Sequence, residues 1–165
     1  MWVSNSGAGL GWGIGAAVGA KLANPNRQVV CNIGDGSVMY SAAGFWTQAR
    51  YEVPVLTVVF NNRNYQTVRH SYTRYNGKMN RANRYLGIYL GDPDIDFVKL
   101  AQSQGVEGIK VNSAPELPNA IKRGIAATRE GRPFLIDVLV RRIGTGADST
   151  WYQAHSVADV RTRKV

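Results

Sequence analysis

Cysteine, acidic residues and long apolar runs are all scarce in this 165-residue chain. The single cysteine, Cys31, excludes a disulfide within the chain, and its apolar surroundings in residues 28–33 favour a buried strand thiol over a reactive one. No apolar run approaches the roughly 20 residues that a membrane span needs. The first 15 residues contain no Lys or Arg, which is not typical of a signal peptide. We therefore expect a cytoplasmic protein without a membrane partner.

The shortage of acidic residues leaves the chain strongly basic. Its 11 Asp and Glu face 20 Lys and Arg, which gives a formal net charge of +9. Residues 63–84 contain six basic side chains and no acidic one, with tyrosines interspersed. Basic and aromatic residues together are also used by single-strand nucleic-acid binders, but no nucleic-acid motif accompanies them here. We expect this surface to face another chain or an anionic substrate instead.

Apolar residues, at 44 % of the chain, are sufficient for one globular core. Strands are predicted at residues 28–33, 55–60, 106–111 and 134–140, and helices at 11–23, 40–51, 94–104 and 115–129. This alternation predicts an α/β fold, a parallel sheet with helices on both faces, in a domain of residues 1–140. Residues 63–93 are predicted to form a short helix and then a long excursion, and 141–165 a polar tail.

The first predicted helix has apolar residues at a spacing of four. Ile14, Val18 and Leu22 predict one apolar face that packs on a sheet. We also expect the surface around Trp2, Trp12, Ile14 and Val18 to favour association with another chain.

Two polar turns follow the first two predicted strands, Gly34-Asp35-Gly36 and Asn61-Asn62. Ligands of parallel sheets bind outside the carboxyl ends of the strands, so neighbouring strands would bring Asp35 and Asn62 to one edge. A carboxylate and an amide oxygen suit Mg²⁺, which usually shares its shell with phosphates. The two glycines leave room for a phosphate, and Ser37 is expected at a helix start. The spacing predicts Mg²⁺ with a diphosphate; the alternative is a plain turn and a helix cap.

The same residues carry a family resemblance. Gly34-Asp35-Gly36-Ser37, with Asn62 following 27 positions after Asp35, resembles the cofactor-binding motif of thiamine diphosphate (ThDP)-dependent enzymes. Residues 9–13, 34–41, 46–47 and 61–62 are similar to the carboxyl-terminal domain of benzoylformate decarboxylase-like members. The resemblance extends from about residue 6 to 140. It implies a ThDP-binding fold that here lacks its first strand.

The resemblance also implies roles for individual residues. Asp35, the Asn62 side chain and the backbone carbonyl of Asn64 would bind Mg²⁺. The residues implied at the ThDP diphosphate are Gly34, Gly36, Ser37 and Tyr40, with Tyr65 nearby. Leu10 would be wedged between the cofactor rings, and the carbonyl of Ala8 would accept a hydrogen bond from the aminopyrimidine. Val68 would face the substrate, and His70 is a second candidate there. Residues 63–66 are bulkier than in many relatives, and 69–91 match none, so the substrate does not follow from the resemblance.

The implied activity is that of a 2-keto acid decarboxylase or carboligase. Activity in this family needs a glutamate on an amino-terminal domain, usually of a partner subunit, and no glutamate here matches it. We therefore expect a chain that binds ThDP and Mg²⁺ but depends on that domain, in a homo- or hetero-oligomer, for turnover. Two alternatives remain: a non-catalytic binding or interaction module, and an NAD-binding domain in which Gly11, Gly13 and Ala16 form the dinucleotide motif.

Overall fold

The computed structural model of the chain describes residues 3–4, 7, 9–82, 87–91 and 93–141. Within them lies one four-stranded sheet in which every pair of neighbouring strands is parallel. Its strands are β1 (Val29–Gly34), β2 (Val55–Asn61), β3 (Glu107–Val111) and β4 (Phe134–Leu139). They are ordered β1-β2-β4-β3, so β2 and β4 are central. All four predicted strands are therefore confirmed.

Helices connect the strands and cover the sheet. They are α1 (Trp12–Ala23), α2 (Asp35–Val38), α3 (Gly44–Arg50), α4 (Gln66–Arg74), α5 (Lys78–Arg81), α6 (Phe97–Gln102) and α7 (Leu117–Arg129), with a 3₁₀ turn at Ala114–Glu116. No described helix is both long and apolar enough to cross a membrane.

The sheet separates two apolar clusters, which confirms the prediction of helices on both faces. On one face, α1, α3 and α6 contribute residues such as Ile14, Phe45 and Phe97 to a cluster with apolar side chains of β1, β2 and β4. On the other face, α7 packs through Ala120 and Ala127 against the remaining apolar side chains of β2, β3 and β4. The central strands β2 and β4 are buried on both faces, which is the reason that their apolar runs are continuous rather than alternating.

Two predicted helices are longer than the observed ones. Residues 40–43 form successive turns in which Ser41, Gly44 and Phe45 each donate to the carbonyl three residues earlier, so α3 begins only at Gly44. The helix predicted at 94–104 begins at Phe97, because the Asp96 side chain accepts from the Lys99 amide and caps it. It is followed by a turn in which Gly105 has φ +87°.

The apolar face predicted for α1 is only partly correct. Ile14 is fully buried and Ala17 nearly so, whereas Leu22 is 66 % exposed. Ile14 is therefore a core residue, and the expectation that it belongs to an exposed association surface is wrong. A hypothetical Cβ on Gly44 would lie 2.5 Å from Ile14 Cγ2, which shows how closely α3 approaches α1. Trp12 is exposed, and Trp2 lies outside the described residues.

Candidate functional site

The two polar turns lie side by side at the carboxyl ends of β1 and β2. In the parallel register, Gly34 pairs with Phe60, so the chain enters both turns at the same level of the sheet. The prediction that β1 and β2 are neighbours is confirmed. Asp35 begins α2 directly after β1, and Asn62 follows the last residue of β2. The topology thus places both residues at one edge of the sheet.

Asp35 is a buried carboxylate surrounded by backbone amides. Gly36 N donates to Oδ1 at 2.8 Å, and Asn64 N donates to Oδ2 at 3.2 Å. Burial raises the pKa of Asp35, and the amides of Gly36, Asn64, Arg63 and Asn62 partly offset this rise by favouring the ionised form. A divalent cation at these oxygens would favour the ionised form further.

The amide of Asn64 joins the two predicted side-chain ligands of the metal. It donates to Asp35 Oδ2 at 3.2 Å and to Asn62 Oδ1 at 2.9 Å, so both oxygens lie next to a single atom. The Asn64 carbonyl, the third predicted ligand, accepts from Gln66 N at 2.8 Å and keeps a second lone pair. The three residues predicted to bind metal are therefore adjacent in space. The atoms that they could offer to a metal are all oxygens.

Gly36 lies directly beneath an aromatic ring. A Cβ at this position would overlap Cδ1 of Tyr65, so the glycine accommodates that ring. Tyr65 and Tyr40 pack edge to face, with ring centroids 6.2 Å apart. Burial, Tyr40 and Asp35 all raise the pKa of Tyr65. By contrast, a Cβ on Gly34 would meet no atom within 4 Å, which leaves open space at that turn.

Ser37 connects α2 to the start of α1. Its Oγ accepts from Gly11 N at 2.9 Å, and Leu10, immediately before, is 48 % exposed beside α2. Gly11 has φ +86°, and a Cβ there would lie 2.8 Å from Tyr40 Cβ, so only glycine fits without strain. Ser37 lies in the first turn of α2, which begins at Asp35, so it is at a helix start as expected. Ala8 lies outside the described residues.

The basic excursion, residues 63–93, begins at Arg63, directly after Asn62 of the site. Tyr65 N donates to Ile88 O at 2.9 Å and Leu90 N to Arg63 O at 2.8 Å, which ties residues 63–65 to the far end of the excursion. The predicted substrate-facing residues, Val68 and His70, lie on α4 just after this turn; Val68 is exposed and His70 is half-buried. The tie between the two ends of the excursion had no signal in the sequence.

Asp137 is a buried carboxylate near the site that sequence reasoning missed. It lies on β4, opposite Val59 of β2, and its Oδ2 is 3.4 Å from Asn61 Nδ2. Burial raises its pKa, and the nearby Asp96 and Asp35 raise it further against the lowering effect of Asn61 and Lys110. One signal was available, because Asp137 is the only charged residue in the apolar run 134–140.

Two concave regions adjoin the turns. A cleft of about 250 Å³ lies over the ends of β2 and β4, between Asn62, Arg63, Tyr89, Leu139 and Val140. A groove of about 440 Å³ follows α1 and the outer side of β1 and reaches Gly34 and Ser37. Among the described residues β1 pairs only with β2, so its outer edge has no strand partner there.

This arrangement fits a divalent cation and a diphosphate. The side-chain donors are a carboxylate and an amide oxygen, which a hard cation prefers, and no described group of three His, Cys, Asp or Glu suggests a softer metal site. One carboxylate leaves positive charge for an anionic ligand. The open space at Gly34 lies beside these donors. The donor set and the space therefore agree with the group that the sequence predicts.

Comparison with known proteins agrees with this interpretation. Residues 1–138 match the family model described as thiamine pyrophosphate enzyme, C-terminal TPP binding domain. The chain is 39 % identical over 140 residues to a putative acetolactate synthase large subunit of Mycobacterium tuberculosis, covering 84 % of this chain and 27 % of the relative. It is 37 % identical over 135 residues to benzoylformate decarboxylase of Pseudomonas aeruginosa, covering 82 % and 24 %.

A solved structure shares the fold as well. The thiamine diphosphate-dependent 4-hydroxybenzoylformate decarboxylase of Rhodococcus jostii superimposes with a TM-score of 0.71 at 37 % identity, over 82 % of this chain and 24 % of that one. The chain thus spans about a quarter of the length of these relatives.

The dinucleotide alternative lacks its structural context. That motif follows a strand directly, whereas the described residues before Gly11 (3, 4, 7, 9 and 10) lie in no strand. The match over residues 1–138 extends far beyond the motif and includes both turns of the site. The chain belongs to the thiamine pyrophosphate enzymes, and it carries their C-terminal TPP-binding domain.

Proposed function

We propose that this chain binds ThDP through Mg²⁺ as part of a 2-keto acid decarboxylase or carboligase. One observation carries the proposal: Asp35 Oδ2 and Asn62 Oδ1 meet at the amide of Asn64, at the ends of adjacent strands. In the proposed complex these two oxygens and the Asn64 carbonyl hold the metal. When bound, the metal would supply positive charge opposite the diphosphate, which fits the preference of Mg²⁺ for phosphate oxygens in its shell.

The remaining predicted residues surround the cofactor in this proposal. Gly34 leaves space for the diphosphate. Gly36 leaves room for the Tyr65 ring, which packs against Tyr40 beside the proposed diphosphate position. Ser37 keeps Leu10 near α2 through its bond to Gly11, which suits the proposed position of Leu10 between the cofactor rings. Ala8 would accept a hydrogen bond from the aminopyrimidine. Val68 and His70, on α4, are proposed to face the 2-keto acid.

In this proposal the chain supplies residues that bind the cofactor, and no general acid or base is assigned to it. When bound, ThDP supplies the nucleophilic carbon for attack on a 2-keto acid and accepts the electrons released on loss of CO₂. The residues of this chain would bind and orient the cofactor. We propose that activation needs a glutamate from an amino-terminal domain, within the same or a partner subunit of an oligomer, and a CO₂-release assay on the chain alone tests this dependence.

Calorimetric titration of ThDP tests the binding proposal. We expect saturable binding in Mg²⁺ and none in EDTA, because in this proposal Asp35, Asn62 and the Asn64 carbonyl would hold the diphosphate only with the metal present. D35A and N62A should each weaken binding more than tenfold, since each removes a proposed metal ligand. E130Q is the matched control, because it removes an exposed carboxylate far from the turns. Binding that persists in EDTA or in D35A would contradict the proposed site.

A further inference from the structure

Asp137 is a costly residue for the fold to keep. It is fully buried in the central strand β4, and its Oδ1 has no hydrogen-bond partner in the described part of the chain. Lys110 lies opposite Asp137 on β3 and favours its ionised form, but Lys110 is exposed and forms no ion pair with Asp137 in the described part of the chain. A buried carboxylate without an ion-pair partner usually destabilises a protein relative to an apolar side chain of similar size. Stability alone therefore gives no reason for an acid at this position.

Asp137 contacts one residue of the metal-binding turn. The side-chain amide nitrogen of Asn61, Nδ2, lies 3.4 Å from Asp137 Oδ2, which is a long but buried contact. The other end of that amide, Oδ1, accepts from Arg63 N at 3.2 Å. Asp137 thereby orients the Asn61 side chain with its nitrogen towards β4 and its oxygen towards the turn.

The turn held by Asn61 has an unfavourable backbone conformation. Arg63 has φ +57°, a left-handed value that costs a residue with a side chain about 1 kcal/mol or more. The next amide, that of Asn64, donates to Asp35 and Asn62. If Arg63 relaxed to a negative φ, the Asn64 amide and carbonyl would turn away from both side chains. The bond from Arg63 N to Asn61 therefore opposes a relaxation that would dismantle the site.

We propose that Asp137 is a positioning residue, which through Asn61 holds the left-handed turn at Arg63 so that Asn62 and Asn64 face Asp35. The inference rests on the proposed function, in which these three residues bind the metal. Asp137 does not touch the metal or the cofactor in this account. Its role is to fix which end of the Asn61 amide faces the turn.

Mn²⁺ affinity, measured in the presence of ThDP, is the first test. D137V removes the acceptor for Asn61 and should weaken Mn²⁺ binding ten- to a hundredfold, about the effect of losing a residue that orients metal ligands. D137N keeps an acceptor oxygen and should remain within about threefold of the parent. T57V is the matched control, because Thr57 is buried on the same sheet face with an unpartnered hydroxyl and does not touch the turn.

A double variant tests the route through Asn61. N61A should lower Mn²⁺ affinity as much as D137V, and the combination should lower it no further, because both changes break one chain of contacts. N61A also serves as the test if D137V does not fold. Parental affinity in D137V and N61A, equal losses in D137N and D137V, or additive losses would each overturn the inference.

Amide exchange separates this inference from the proposed function. If the parent chain binds neither Mn²⁺ nor ThDP, the proposed function fails, yet the turn can still be observed by NMR. D137V should speed hydrogen exchange at Arg63 N roughly three- to tenfold, the effect of losing one modest hydrogen bond. The Asn24 amide, which donates to Ala20 O at the end of α1, should exchange at the parental rate. Unchanged exchange at Arg63 would overturn the positioning role.

Discussion

Gly34 and Gly36 flank the same aspartate, but the structure gives them different tasks. Gly36 makes room for the Tyr65 ring, whereas the space beside Gly34 is open. The sequence predicted a single reason for both, the approach of a phosphate. For Gly36, contact within the protein is already a sufficient reason. At Gly34, no contact in the described part of the chain requires a glycine, so the approach of a ligand is the explanation that we retain.

Alanine substitutions distinguish these two tasks. G36A should lower the free energy of unfolding by about 1–3 kcal/mol, because the added methyl group displaces Tyr65. G34A should leave it unchanged or raise it by up to about 1 kcal/mol, because Gly34 has extended backbone angles that alanine adopts. Urea denaturation measures both. Under the proposed function, G34A should nevertheless weaken ThDP binding; equal stability losses in the two variants would show that the Tyr65 contact is unimportant.

Helix boundaries show what short-range signals can predict at the scale of elements. The cap of α6 by Asp96 is a local interaction, and a closer reading of the sequence could have placed it. α3 begins late because residues 40–43 form turns instead of helix. Tyr40, at the start of these turns, packs against Gly11, which is distant in sequence. Propensity continues a helix through residues 40–43, and packing prevents it.

Glycines in two helices provide a test at this scale. In α7, a Cβ on Gly124 would lie 2.5 Å from Leu56 Cδ1 and 3.3 Å from Phe134 Cδ1, so G124A should destabilise the protein by about 1–3 kcal/mol. In α1, a Cβ on Gly19 meets nothing within 4 Å, so G19A should stabilise it by up to about 1 kcal/mol through helix propensity.

Thermal or urea unfolding measures both helix variants. Each replaces a helix-interior glycine by alanine, so intrinsic propensity is the same in the two and only packing differs. A gain in stability for G124A as large as that for G19A would mean that α7 does not approach β2 as closely as the structure shows.

At the scale of the whole molecule, the site joins segments of the chain that meet only in the folded state. Asp35 and Asn62 follow two different strands, and Asp137 lies in a third. A ligand bound at the turns should therefore stabilise the whole fold rather than one element, because the unfolded chain has no such site.

ThDP and Mg²⁺ together should raise the thermal midpoint of the chain without giving turnover. At ligand concentrations about a hundred times the dissociation constant, the gain is about 2.7 kcal/mol, or roughly 5–10 °C for a chain of this length. EDTA should abolish the shift. Benzoylformate and pyruvate should release no CO₂ above the blank, because the proposed activating glutamate is on another domain. Turnover by the chain alone would contradict that dependence, and a shift that survives EDTA would contradict the metal's role.

Local patterns in the sequence were enough to predict the strands, the parallel sheet, the pairing of Asp35 with Asn62 and the family. Apolar runs identify buried strands, and short polar turns after them identify the carboxyl edge, because both signals lie within a few neighbouring residues. The contact of Tyr65 with Gly36, the return of residues 88–90 to the turn and the role of Asp137 were decided only by the tertiary structure. Each joins residues distant in the chain, and such contacts depend on how the strands and helices pack rather than on the sequence around any one of them.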